Sequence, residues 1–263
     1  MKAIARLFMN LPEVLWVDLQ PTLYCLNKRV SQRLSRDIGV KRWSFQLDPD
    51  EFCMESTVHS MLKTTLESMA EPIHLVGHGL SGIISCEFAH NHPELVESVT
   101  LLSVDTLSIN QWSSHYLGMR RQLACSREQI LKHLSTLLFE VKSSQVKAAF
   151  PRLLQACLDN ELIQGSIVNL DHPGSLRSPQ VPTLVINGHD DVVVDRKAQQ
   201  RWEEQLKPGD CYHSLQGGRH FFQFSHAELT ATLIRSFLDM VPGSSAMESL
   251  HPSQFTTSTQ QQA

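Results

Sequence analysis

The stretch that decides the fold is "PIHLVGHGLSGIISCEFAHN", residues 72–91. It starts with a run of core-type residues from Ile73 to Val76, turns through Gly77, Gly79 and Gly82, and continues as an apolar helical stretch from about Ser81 to Asn91. A short apolar run, closed by a glycine-rich turn and followed by a helix, is how a buried strand entering a crossover helix appears in sequence.

The same rhythm extends on both sides. Upstream, "EVLWVDL" (13–19) reads as a strand, and "TLYCLNKRVSQRLSRDI" (22–38) as a helix with Leu23, Leu26, Val30, Leu34 and Ile38 on one stripe. "KRWSFQL" (41–47) is a second strand, and residues 51–69 a second helix carrying Phe52, Val58, Met61, Leu62, Leu66 and Met69. Downstream, "SVTLLSV" (98–104) is a strand. The rhythm then stops between 106 and 178, where helical patterns take over. One begins at "CSREQILKHLSTLLFE", in which Ser126 and Gln129 have the spacing of a capping box, and another covers about 146–158. Strands return at "VPTLVING" (181–188) and "CYHSL" (211–215), and a helix closes the core over about 226–240. The expected organisation is one α/β domain from 1–105 and 179–242, interrupted by a helical insertion at 106–178. The polar tail 243–263 has no periodicity, so disorder is expected there.

Composition narrows the function classes. With 263 residues, 41% of them hydrophobic, the chain is long enough for one large core. A net charge of −4 without a basic run gives no footprint for nucleic acid. No stretch approaches the roughly 18 apolar residues of a membrane span, and the first twelve residues lack the features of a secretion signal. Met9 is an alternative start, since the first strand follows Pro12. Six widely spaced cysteines without CxxC pairs read as buried thiols of a cytoplasmic protein. No metal or cofactor is implied, and His90 and His92 read as a solvated helix end.

The order strand, "GHGLSG", helix, strand, helical insertion, strand, "GHDD", strand, "GGRHFF" resembles the α/β-hydrolase superfamily over roughly residues 13 to 241. The resemblance implies a mostly parallel central sheet flanked by helices, with a helical cap. It also implies a nucleophile elbow, Gly-x-Ser-x-Gly, followed in chain order by an acid and a histidine. Position by position, Gly77 takes the first glycine, Gly79 the nucleophile and Ser81 the last glycine, with Gly82 matching the extra glycine that often follows. The acid falls on Asp191, with Asp190 the weaker candidate, and the base on His220. The backbone N–H of Leu80 is the expected oxyanion donor. A second donor would come from the loop "VDLQPTL" (17–23), from Gln20 or Thr22, because Pro21 has no N–H.

A glycine in the nucleophile's place removes backbone strain and abolishes acyl-enzyme formation. It also frees about the volume of one water, some 30 Å3, beside the imidazole. Three readings follow. In the first, His220, poised by Asp191, activates water or abstracts a proton from a small apolar carbonyl substrate; base-only chemistry has precedents in the superfamily, including cofactor-free oxygenases. In the second, the chain is catalytically silent and binds a small apolar ligand or a protein partner. In the third, the chain is a serine esterase or lipase-like hydrolase in which Ser81 replaces the missing nucleophile, although two residues into the helix it is turned away from the strand tip by roughly 200°. A glycine-rich turn is also compatible with a phosphate cradle, but the further glycine and acid of a dinucleotide fingerprint are missing. Trp112, His115, Tyr116 and Met119 form a stripe that is either insertion core or pocket wall, and Phe221 and Phe222 are candidates for apolar wall beside His220.

Overall fold

A computed structural model describes residues 13–44, 55–69, 71–107, 111–140, 143–160 and 175–241. The tail expectation, the first twelve residues and the edges of several elements lie outside the described residues.

Among the described residues six strands form one sheet: β1 (Val14–Asp18), β2 (Val40–Ser44), β3 (Ile73–His78), β4 (Val96–Leu102), β5 (Thr183–Gly188) and β6 (Cys211–Leu215). They run β2-β1-β3-β4-β5-β6, and every neighbouring pair is parallel. The central strands read as unbroken apolar runs because both faces are covered. Alternation along them sorts the side chains: Leu15 and Val17 face one helical layer, Val14 and Trp16 the other.

The first layer holds helices α2 (Glu55–Glu67) and α3 (Leu80–Asn91), whose Val58, Leu62, Ile83 and Ile84 join Leu15, Leu75 and Val99. The second holds α1 (Tyr24–Leu34) and the closing helix (Ala227–Met240), through Val30, Leu34, Ile234 and Phe237. α1 is entered through a 3-10 turn, Pro21–Leu23, that starts with the proline. α3 begins at Leu80, one residue earlier than its periodicity suggests.

Between β4 and β5 stand α4 (Trp112–Gln122), α5 (Arg127–Leu138) and α6 (Ser144–Asn160). The capping box forms as its spacing requires: Ser126 Oγ accepts from the Gln129 amide at 3.2 Å, and Gln129 Oε1 from the Ser126 amide at 2.9 Å. Trp112, Tyr116, Leu134, Phe139 and Leu154 form a separate core that also takes in Leu23 and Leu26 from α1's entry and Phe221 from the loop after β6. The described residues also include two short helices, α7 (Ala198–Glu203) and α8 (Phe222–Ser225), and the closing helix is α9.

The cysteines are not uniformly buried. Cys86 and Cys157 are, whereas Cys25 and Cys125 are exposed, each on a polar helical surface or turn where the apolar stripe does not pass. His90 and His92 are half-buried at the end of α3, His92 against the Phe88 ring, and so less solvated than their position before Pro93 suggested. Among the described residues no helix is long and apolar enough to cross a membrane.

Candidate active site

In a parallel sheet, ligands meet the carboxyl ends of the strands where the winding direction reverses. Here that point lies at β1 and β3, which pair with β2 and β4 on opposite sides. The turn after β3 is built on a steric requirement. A Cβ on Gly77 would come within 2.5 Å of the Ser81 carbonyl oxygen, and one on Gly82 within 2.9 Å of the Gly77 oxygen. Both distances are below any real contact, so only glycine at 77 and 82 lets the helix start against the strand end.

Gly79 sits at the tip with φ +52° and ψ −121°. That conformation is strained for residues with a side chain, by about 1–3 kcal/mol. Space is not the obstacle. A Cβ there would make ordinary contacts, 3.5 Å from Gln111 Oε1 and 3.9 Å from His220 Nε2. The Leu80 amide follows at the helix N-terminus, where the first N–H groups have no intrahelical acceptor.

His220 and Asp191 come together from the loops after β6 and β5. Nδ1 of His220 lies 3.0 Å from Asp191 Oδ2, and both side chains are fully enclosed. The other carboxylate oxygen accepts from the amides of Val193 at 2.8 Å and Val194 at 3.3 Å. Burial alone would raise the Asp191 pKa; the adjacent His220 and these two amides outweigh it and hold the carboxyl below its usual value. An ionised acceptor at Nδ1 places the imidazole proton on that nitrogen and leaves the Nε2 lone pair free. Nε2 is buried and has no hydrogen-bond partner among the described residues.

The backbone of His220 is clamped as well. Its carbonyl oxygen accepts from Ser103 Oγ at 2.6 Å and from His78 Nε2 at 2.9 Å. Ser103 takes φ +50°, unusual for a residue with a side chain, and so delivers its hydroxyl from the end of β4. Burial, reinforced by the neighbouring His220, pushes His78 down to about 3, so it is neutral and donates through Nε2. Its ring stacks on Phe221 with centroids 5.0 Å apart.

The insertion reaches this site through the start of α4. Gln111, buried just ahead of that helix, brings its Oε1 over Gly79. One turn on, His115 is half-buried; burial and then the proximity of His220 lower its pKa, against the opposing pull of Asp191. Trp112 and Tyr116 of the same stripe are buried in the insertion core. Phe221 joins that core beside His220, whereas Phe222 belongs to the sheet core and offers the site no wall.

The remaining sequence candidates are engaged elsewhere. Ser81 Oγ accepts from the Leu19 amide at 3.0 Å, tying the elbow helix to the loop after β1. In that loop the Gln20 amide donates to Asp18 Oδ1 at 3.2 Å, and Gln20 Nε2 to Cys157 Sγ at 3.5 Å. Asp18 is buried and paired with Arg42 at 2.6 Å. Asp190 is exposed beside Asp191, its amide donating to the Gly218 oxygen. Sequence reasoning missed Gln111, Ser103 and the clamping role of His78. Only His78 carried a signal, its place inside the elbow itself.

No family model matches the chain. It is 26% identical over 239 residues to an uncharacterized protein of Synechocystis sp., sll0249, covering 90% of this chain and 94% of that one. Among solved structures, a thermophilic esterase superposes with TM-score 0.66 at 15% identity, over 88% of this chain and 91% of the esterase. The meta-cleavage product hydrolase CumD from Pseudomonas fluorescens IP01 does so with TM-score 0.60 at 14% identity, over 86% and 89%. At these identities the likeness establishes the fold.

Proposed function

We propose that this chain of the α/β-hydrolase fold is a hydrolase without a covalent nucleophile, in which His220 activates water against a small apolar carbonyl compound. The observation that carries the reading is the buried Nε2 of His220. An enclosed polar atom without a partner is costly, and a purely structural histidine would have its second nitrogen satisfied as well as its first. Here the lone pair is oriented by Asp191 and faces the place where Gly79 lacks a side chain.

A water in that place meets two acceptors, His220 Nε2 and Gln111 Oε1, and has one hydrogen for each. Its lone pairs then point toward a bound carbonyl carbon. The water oxygen forms the new bond to that carbon while its proton moves to Nε2, and charge develops on the carbonyl oxygen near the Leu80 N–H. Collapse of the tetrahedral intermediate breaks the bond to the leaving group, which takes the proton back from Nε2. Asp191 stabilises the imidazolium in between. The apolar substrate class is inferred from Phe221, whose ring meets that of His220 edge-on with centroids 4.9 Å apart. The esterase and hydrolase names of the structural neighbours agree with a carbonyl substrate.

One observation favours a silent binding protein instead. The amides of Leu19 and Gln20, where a second oxyanion donor is expected, are both occupied within their own loop or by Ser81.

The deciding experiment follows steady-state and pre-steady-state hydrolysis of short and medium acyl p-nitrophenyl esters by wild type, His220→Ala and Gly79→Ala. Turnover without a burst, lost in His220→Ala and also in Gly79→Ala because the methyl group takes the water's place, supports the reading. A silent wild type, or turnover indifferent to His220→Ala, refutes it.

A further inference from the structure

About two turns along α3 from Leu80, three side chains with no part in the reading above converge. Glu55 and His59 are four residues apart on α2 and so share a face. Glu87 reaches them from α3, and one ligand atom from each of the three lies within 4.8 Å of the others. His59 Nε2 and Glu87 Oε2 are both closed off from solvent, and neither has a hydrogen-bond partner among the described residues. The His59 ring is held edge-on against Phe88, with centroids 5.9 Å apart and planes at 85°. Packing therefore fixes the direction of its unused nitrogen.

The Glu55 and Glu87 carboxyls are close enough to hydrogen-bond to one another, while Nε2 of the packed His59 ring is left unsatisfied, so a cation would engage a donor set that otherwise pairs incompletely. We propose that Glu55, His59 and Glu87 form a divalent transition-metal site, of the zinc class, that pins α2 to the elbow helix α3. The donor set decides the class. Imidazole suits zinc and its neighbours, whereas calcium and magnesium take oxygen ligands throughout. Ligands about 2 Å from a common ion stand at most about 4 Å apart, so binding needs these atoms to close by less than about 1 Å. Three protein ligands leave a fourth position for water.

This inference does not depend on Gly79 or His220. Its test uses the full chain, treated with chelator and titrated with Zn2+ alone in equilibrium dialysis, beside Glu87→Gln and His59→Gln. The expected result is one Zn2+ more per wild-type chain than per variant chain, or binding weakened about tenfold or more in the variants. Saturating Zn2+, at about 100 times Kd, should raise the wild-type melting midpoint by roughly 5 °C or more. Co2+ should give a visible absorption band in wild type that His59→Gln alters. The exposed thiols of Cys25 and Cys125 contribute equally to every sample. Should the α3 variant fold poorly, Glu55→Gln in the first turn of α2 gives the same reading. Equal stoichiometry and affinity in wild type and folded variants, or no binding at millimolar Zn2+, overturns the site.

Discussion

The Nε2 of His220 stands 3.9 Å from the point where a β-carbon on Gly79 would be. A serine oxygen, one bond further out from that carbon, can come within hydrogen-bond distance of the nitrogen. The imidazole, the carboxylate that orients it and space for a side-chain oxygen are therefore assembled around a residue that has no side chain.

Gly79→Ser is accordingly expected to install covalent catalysis. The variant should show a burst with p-nitrophenyl esters and an acyl adduct on the intact protein by mass spectrometry, at a stability cost of about 1–3 kcal/mol from the φ of +52°. A folded variant with neither burst nor adduct would mean that the oxyanion donors are not in place.

Gly77→Ala tests the elbow itself. Its methyl group would lie within 2.6 Å of three backbone atoms of Ser81 and Gly82, none of which can rotate aside. Destabilisation above about 3 kcal/mol is expected in urea unfolding, more than for Gly79→Ala, whose methyl meets nothing closer than 3.5 Å. Equal costs for the two would contradict the packing described.

Arg201 holds the acid loop to the sheet. It donates to both carboxylate oxygens of the fully buried Asp105, at 2.8 and 2.7 Å, and also reaches Asp195, four residues after Asp191. Removing the arginine strips the buried Asp105 carboxylate of its two charged hydrogen bonds, so Arg201→Met should cost about 3–5 kcal/mol. Asp105→Asn together with Arg201→Met should recover part of that cost, as thermal melts of the three variants would reveal.

The pH dependence has a defined sign. His78 titrates near 3 in the folded chain and near the ordinary value of 6.5 when unfolded. Its contribution is complete above about 6.5. It is lost as the pH falls toward 3, at about 1.4 kcal/mol per pH unit while only the unfolded chain binds the proton. Asp191, whose folded pKa is depressed, acts in the same direction at lower pH, below the unfolded carboxyl value near 4. His78→Gln should flatten the stability profile between pH 6 and 4; an unchanged slope would place the titrating group elsewhere.

The sequence by itself determined the architecture. Short apolar runs, helical stripes and the capping residues Ser126 and Gln129 are local patterns, and the order of turns "GHGLSG", "GHDD" and "GGRHFF" placed Gly79, Asp191 and His220 after β3, β5 and β6. That information survives because strand and helix formation depend on neighbours a few residues away. Tertiary structure alone decided what each side chain meets. The bond from Leu19 to Ser81 spans 62 residues, and the clamp from His78 to the His220 carbonyl spans 142. Gln111 reaches Gly79 only because the insertion core seats α4 over the elbow. Such contacts follow from how whole layers pack against one another, which no local period encodes.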